Sequence, residues 1–114
     1  MQITPKEIFE KRIADALGKN PALAKEVNAV FHFDLPGPDG GKWTLDLTRE
    51  HDWVAAGLTG TAAMTITVSD TDFVNVVAGK LNAQMAVMSG KLKFKPMNIA
   101  LATRLSKVLQ AGRS

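Results

Sequence analysis

The chain has 114 residues, 46% of them apolar and 22% charged, with a formal net charge of +3 and no cysteine. That length suits one hydrophobic core, so a single globular domain over residues 1–114 is expected, and the missing cysteine excludes disulfides, zinc-thiolate sites and a cysteine nucleophile. No apolar run approaches the ~20 residues of a membrane-spanning helix, and the start MQITPKEIFEKRI lacks the apolar centre of a signal peptide, so a soluble, cytoplasmic protein is expected.

The first helix begins at Thr4-Pro5-Lys6-Glu7, with threonine as cap, proline at the first helical position and glutamate at the third. Phe9, Ile13 and Leu17 form its buried stripe, Gly18 ends it, and Pro21 opens a shorter helix to Glu26. From Val27 the period becomes two. Ala29, Phe31, Phe33 and Leu35 share one face of a strand, and Trp43, Leu45 and Leu47 share one face of the next. Pro36-Gly37-Pro38-Asp39-Gly40-Gly41 joins them as a hairpin turn. It lacks phosphate-loop spacing, and no helix follows it. Trp53 to Gly57 reads as a third strand and Thr61 to Ser69 as a fourth, with Ala62, Met64, Ile66 and Val68 on one side. Four strands with short links predict an antiparallel meander.

Ser69 caps the next helix, with Asp72 three residues on and Phe73, Val76 and Val77 at helical spacing before Gly79. A short helix from about Asn82 to Met88 carries Leu81, Met85 and Met88 on one side, and Gly90 stops it. Lys91-Leu92-Lys93-Phe94-Lys95 alternates as a fifth strand. Met97 to Gln110 closes the chain as a helix, with Met97, Leu101, Leu105, Val108 and Leu109 as its apolar stripe.

Within this region Phe73, Gly79-Lys80-Leu81, Ala86, Met88 and Ser89-Gly90-Lys91-Leu92-Lys93 resemble the C-terminal signature of the sterol carrier protein 2 domain family, whose helix-helix-strand unit ends in a GKLK-type turn. The resemblance extends over nearly the whole chain. It implies an α+β fold, a mostly antiparallel five-stranded sheet under a layer of about five helices, with a hydrophobic tunnel between them. The residues alone leave a packed core and a lipid-sized gap both open; the resemblance implies the gap. The expected ligand-binding set is then Trp53, Met64, Ile66, Phe73, Val76, Val77, Leu81, Gln84, Met85, Met88, Leu92, Phe94, Leu101 and Leu105. Methionine moulds to variable alkyl chains, and the neutral amide of Gln84 suits a hydroxyl or carbonyl head. Where the family usually has a glycine and an acidic residue after the last strand, this chain has Pro96-Met97-Asn98, and proline implies a different entry angle for the last helix.

No catalytic constellation is present in the sequence. His32 and His51 lack metal-binding spacing, Ser69 lacks a GxSxG elbow, and Asp70 and Asp72 are accounted for by the helix terminus beside them. Neither a metal nor a cofactor is expected. Lys80, Lys91, Lys93 and Lys95 are the densest local charge. They read first as lysines that protect a sheet edge and second as a contact for an anionic membrane surface or an acyl-CoA phosphate. Nucleic acid is not an expected partner, since no exposed aromatics interleave the basic residues. The expected function is non-catalytic binding or transfer of a fatty acid, fatty acyl-CoA, sterol-like or other long apolar ligand. The alternative is an interaction or dimerisation module that presents a lipid precursor to a membrane or isoprenoid-lipid enzyme, and a homodimer is compatible with the sequence.

Overall fold

The computed structural model describes residues 4–95 and 98–111. The helices that begin at Pro5, Asp70 and Ala83 start where side-chain caps satisfy free N–H groups of the first turn. Thr4 Oγ1 accepts from the Glu7 N–H at 3.3 Å, Ser69 Oγ from the Asp72 N–H at 3.1 Å, and Asn82 Oδ1 from the N–H groups of Gln84 and Met85 at 2.8 and 3.3 Å.

Helix α1 covers residues 5–19 and has three parts: α-helical Pro5–Glu7, π-helical Ile8–Ile13 and α-helical Ala14–Lys19. The wider π turn explains why two consecutive side chains, Ile8 and Phe9, are both buried. Gly18 does not end this helix, which continues to Lys19. Helix α2 is Pro21–Val27, closed by Asn28 in the left-handed region at φ 48°. Helix α3 is Asp70–Val77, α4 is Ala83–Met88 and α5 is Ile99–Ala111. Gly79 and Gly90, at φ 81° and 79°, turn the chain after α3 and α4. Pro96 and Met97, and with them the proposed effect of proline on the last helix, lie outside the described residues.

The five strands are β1 Val30–Leu35, β2 Gly41–Asp46, β3 Val54–Ala56, β4 Met64–Val68 and β5 Leu92–Lys95, arranged β3-β2-β1-β4-β5. The first hairpin is antiparallel and sets Phe31 opposite Leu45 and Phe33 opposite Trp43. The predicted meander fails at the next step. β4 lies on the far side of β1 and parallel to it, with Phe31 beside Met64 and Phe33 beside Ile66.

Residues 57–63 make that crossover on the outer face of the sheet. Thr44 Oγ1 donates to Gly57 O at 2.7 Å and accepts from the Thr59 N–H at 3.0 Å. His32 Nε2 meets Thr59 O at 2.8 Å, and the Ala63 N–H donates to Val30 O at 2.8 Å. This strap buries Thr44, an outward residue that would otherwise be wet. The inner face carries the apolar half of each alternation, including Phe31, Phe33, Leu45, Met64, Ile66 and Leu92, all buried beneath the helices. α5 packs on α1 and α2, and α4 packs on β5.

Candidate functional site

Phe9, carried on the π segment of α1, stands at the centre of the contact between sheet and helices. It stacks on Trp43 of β2 at 5.1 Å and 17°, and on Phe73 of α3 at 5.2 Å and 11°. Phe33 of β1 meets Phe9 edge-on at 5.0 Å and Phe73 at 5.8 Å. Offset and edge contacts of this kind add to the apolar burial itself. At this point the two layers touch.

The expected ligand-binding residues fall into three groups. Trp53, Met64, Ile66, Phe73, Val77, Leu92 and Leu105 belong to one buried cluster, and Leu81, Phe94 and Leu101 are half-buried against it. Val76 is half-buried on α3. Gln84, Met85 and Met88 face outward, with Met85 66% and Met88 83% exposed. Helix α4 is anchored instead by Ala86, buried, with Ala83 and Val87 beside it. The predicted inner face of Leu81, Met85 and Met88 holds for Leu81 and is corrected for the methionines: residues 83, 86 and 87 form the inward side of α4, and Met85 and Met88 lie off it. Lys91, Lys93 and Lys95 are exposed, as alternation about Leu92 and Phe94 requires.

The two tryptophans differ in a way the alternation does not reveal. Trp53 Nε1 donates to Arg49 O at 2.8 Å. Trp43 is only 7% exposed, yet among the described residues its buried Nε1–H has no acceptor.

Asp70 has a role beyond the helix terminus. Its carboxylate accepts from the Asp39 N–H at 2.9 Å and the Thr71 N–H at 2.8 Å, while its own N–H donates to Pro36 O at 3.0 Å. The start of α3 is therefore fastened to the β1–β2 turn. The Asp39 N–H, then the Thr71 N–H, hold the Asp70 carboxyl below its ordinary value of 3.8. A side chain at Gly37 would collide with this carboxylate.

His51 Nδ1 pairs with Asp52 Oδ2 at 2.8 Å on the surface, and His32 is held to the strap, so the two histidines serve separate places. Among the described residues no group of three His, Asp or Glu is placed to hold a metal ion, and no helix is long and apolar enough to cross a membrane. A shallow depression of about 180 Å³ between α2 and α5 is lined by Glu26, Val27, Arg104 and Lys107; it lies on the outside of the helical layer.

The model of the SCP-2 sterol transfer family matches residues 8–110. The chain belongs to this family. Like other members, it shares its fold with the apo sterol carrier protein 2 of Yarrowia lipolytica, at TM-score 0.73 and 31% identity, covering 90% of this chain and 88% of that one. The Aedes aegypti sterol carrier protein 2 in complex with the C16 fatty acid palmitate superposes at TM-score 0.75 over 97% of this chain and 98% of that one, at 21% identity, a likeness of fold. Among curated relatives, hydroxysteroid dehydrogenase-like protein 2 of Bos taurus is 42% identical over 93 residues, 81% of this chain. The peroxisomal multifunctional enzyme A of Dictyostelium discoideum is 38% identical over 97 residues, 83% of this chain. The chain spans 22% of the length of each of those two proteins, so the similarity concerns their family domain alone.

Proposed function

We propose that this chain is a non-catalytic lipid-binding or lipid-transfer domain that takes a long-chain fatty acid, fatty acyl-CoA, sterol-like or other long apolar ligand between sheet and helices. The observation that carries the reading is membership of the SCP-2 sterol transfer family over residues 8–110, on an inner sheet face that is apolar across its strands. The palmitate complex of the Aedes aegypti protein supports the choice of a C16 acyl chain as first probe, since that protein holds one in the same fold.

Alkyl burial contributes about 0.8 kcal/mol per methylene, so a dozen methylenes give roughly 10 kcal/mol before association costs, enough for micromolar binding. The chain would lie along Met64, Ile66, Phe73, Val77, Leu92 and Leu105, with Trp53, Leu81, Phe94 and Leu101 at its margins. Val76, Gln84, Met85 and Met88 form the rim that swings inward or guides entry. Moving α4 away from the sheet, with α3 held in place by its aromatic contacts, is the conformational step such a tunnel requires. Lys80, Lys91, Lys93 and Lys95 near that rim suit a passing contact with an anionic membrane surface. Titration with a fluorescent fatty acid and with an acyl-CoA tests the reading: saturable uptake at micromolar protein is expected, and none with either ligand overturns it.

The exposure of Met85 and Met88 favours a second reading, an interaction module in which this apolar patch docks on a partner protein or a second copy. Concentration-dependent sedimentation that is lost in Met85→Ser/Met88→Ser, together with absent lipid uptake, would favour it over the first.

A further inference from the structure

A buried N–H without an acceptor is rare, because the hydrogen bond it gave up in water is not replaced. Trp43 carries one at the heart of the aromatic contact. The rest of its ring is accounted for by packing on two sides: Phe9 stacks on the Trp43 ring, and Phe33 is its register partner on β1. The N–H is not. Trp53 shows that the fold can supply a backbone carbonyl to a largely buried indole, at 2.8 Å from Arg49 O.

Gly41 marks the space beside the Trp43 N–H. It lies two residues earlier on β2, so its missing side chain would project from the same face. A Cβ placed there would meet a single neighbour within 4 Å, Trp43 Nε1 at 3.7 Å. Its φ of 140° also disfavours any side chain that would fill the position. The Trp43 N–H therefore borders the space left by the absent side chain of Gly41, a position that itself reaches the surface.

We infer that Trp43 Nε1–H is the head-group donor of the lipid site, and that it recognises a carbonyl-type oxygen of a bound fatty-acyl ligand lying over Gly41. The inference rests on the lipid-binding reading and adds to it the chemical class of the ligand's polar end and the depth at which that end sits. A neutral donor suits the task. It can donate to either a carboxylate or a thioester carbonyl without adding a charge of its own. The acyl tail then runs away from the β1–β2 turn, along the inner face. Hydrocarbons without an acceptor can still enter, but they leave the indole as it is in the free protein.

The test uses the full chain and three probes: palmitate, palmitoyl-CoA and the acceptor-free fluorophore diphenylhexatriene. Diphenylhexatriene is titrated directly and then displaced by each acyl ligand, with wild type and Trp43→Phe compared. The expected result in Trp43→Phe is displacement by palmitate, by palmitoyl-CoA or by both that weakens about tenfold more than diphenylhexatriene affinity does, the fold-change of one lost hydrogen bond. Weakening with palmitate alone assigns the oxygen to a free acid, and weakening with palmitoyl-CoA alone assigns it to a thioester. Equal losses for all three probes would mean that the substitution only damaged packing, and would overturn the assignment. Unchanged displacement by both acyl ligands would overturn it too. The wild-type protein supplies a reading that does not depend on the variant's folding. The Trp43 indole N–H resonance should move downfield and exchange more slowly with palmitate but not with diphenylhexatriene, and an unmoved resonance at saturating palmitate overturns the inference. If wild type binds none of the three, it is the lipid-binding reading itself that fails.

Discussion

The two ends of the helical layer are built on different principles. Around Phe9, four aromatic rings from α1, α3, β1 and β2 interlock at centroid distances of 5.0 to 5.8 Å, and the start of α3 is fastened to the hairpin turn by Asp70. Around α4, a six-residue helix is held by Ala86 and its half-buried neighbours while Met85 and Met88 stand in solvent. Large rings dock α3 to the sheet; α4 is held by small side chains. Of the two, α4 is the segment that gives way at small cost, because little apolar area is uncovered when it moves.

The sharpest way to break this contrast is Phe9→Ala. It removes the ring that three others touch, and a loss of about 3–5 kcal/mol is expected in urea-induced unfolding. A loss below about 1 kcal/mol would mean that the rings do not hold the layers together. Asp70→Asn should lower the melting temperature by less than Phe9→Ala. It should also alter the acid side of the stability profile. The Asp70 carboxyl is held below its ordinary value of 3.8 in the folded chain, so its contribution is complete above that pH and disappears as pH falls through the lower, folded value. Wild type should therefore lose stability more steeply than Asp70→Asn as pH drops below 4, measured by circular dichroism melts; parallel profiles would remove Asp70 from the fastening.

At the α4 end, Met85→Ala and Met88→Ala should each change stability by no more than about 0.5 kcal/mol, as exposed substitutions do. A larger loss would show that α4 is packed more firmly than its exposure indicates. Function sharpens the comparison further: Met85→Glu or Met88→Glu should weaken fatty-acid uptake more than Lys91→Gln or Lys93→Gln. The opposite ranking would transfer the lipid contact from the rim to the lysine-bearing strand.

Much of this was readable from local chemistry. Thr4 and Ser69 stand immediately before the helices they cap, Asn82 caps a helix it was expected to begin, and the alternations around Phe31, Leu45, Ile66 and Leu92 identify the buried face because a strand's period is two. What escaped depends on partners far away in sequence. Alternation says which face of β4 is apolar but not which neighbour it pairs with or in which direction, so the parallel match of Phe33 to Ile66 was not legible. The reading of α4 went astray because methionine outweighs alanine on any hydrophobicity scale, yet Ala86 occupies the inward position. The π turn at Ile8–Ile13 has no sequence signature here beyond two adjacent large apolar residues. The unpaired N–H of Trp43 had a partial signal: a tryptophan centred on an apolar strand face needs an acceptor, and among the described residues none is in reach.

The strap of residues 57–63 has a consequence for the order in which the molecule assembles. The β1–β2 hairpin closes over a five-residue turn and can form within microseconds, as local contacts do. β4 reaches β1 only after the chain has passed β3 and crossed the outer face, so its pairing closes a span of about thirty residues and bears the larger entropy of closure. Thr44 and His32, which tie Thr59 down midway, divide that one long search into two shorter ones. Two residues on the outer face of the sheet thereby shorten the loop that must close before the apolar inner face is complete.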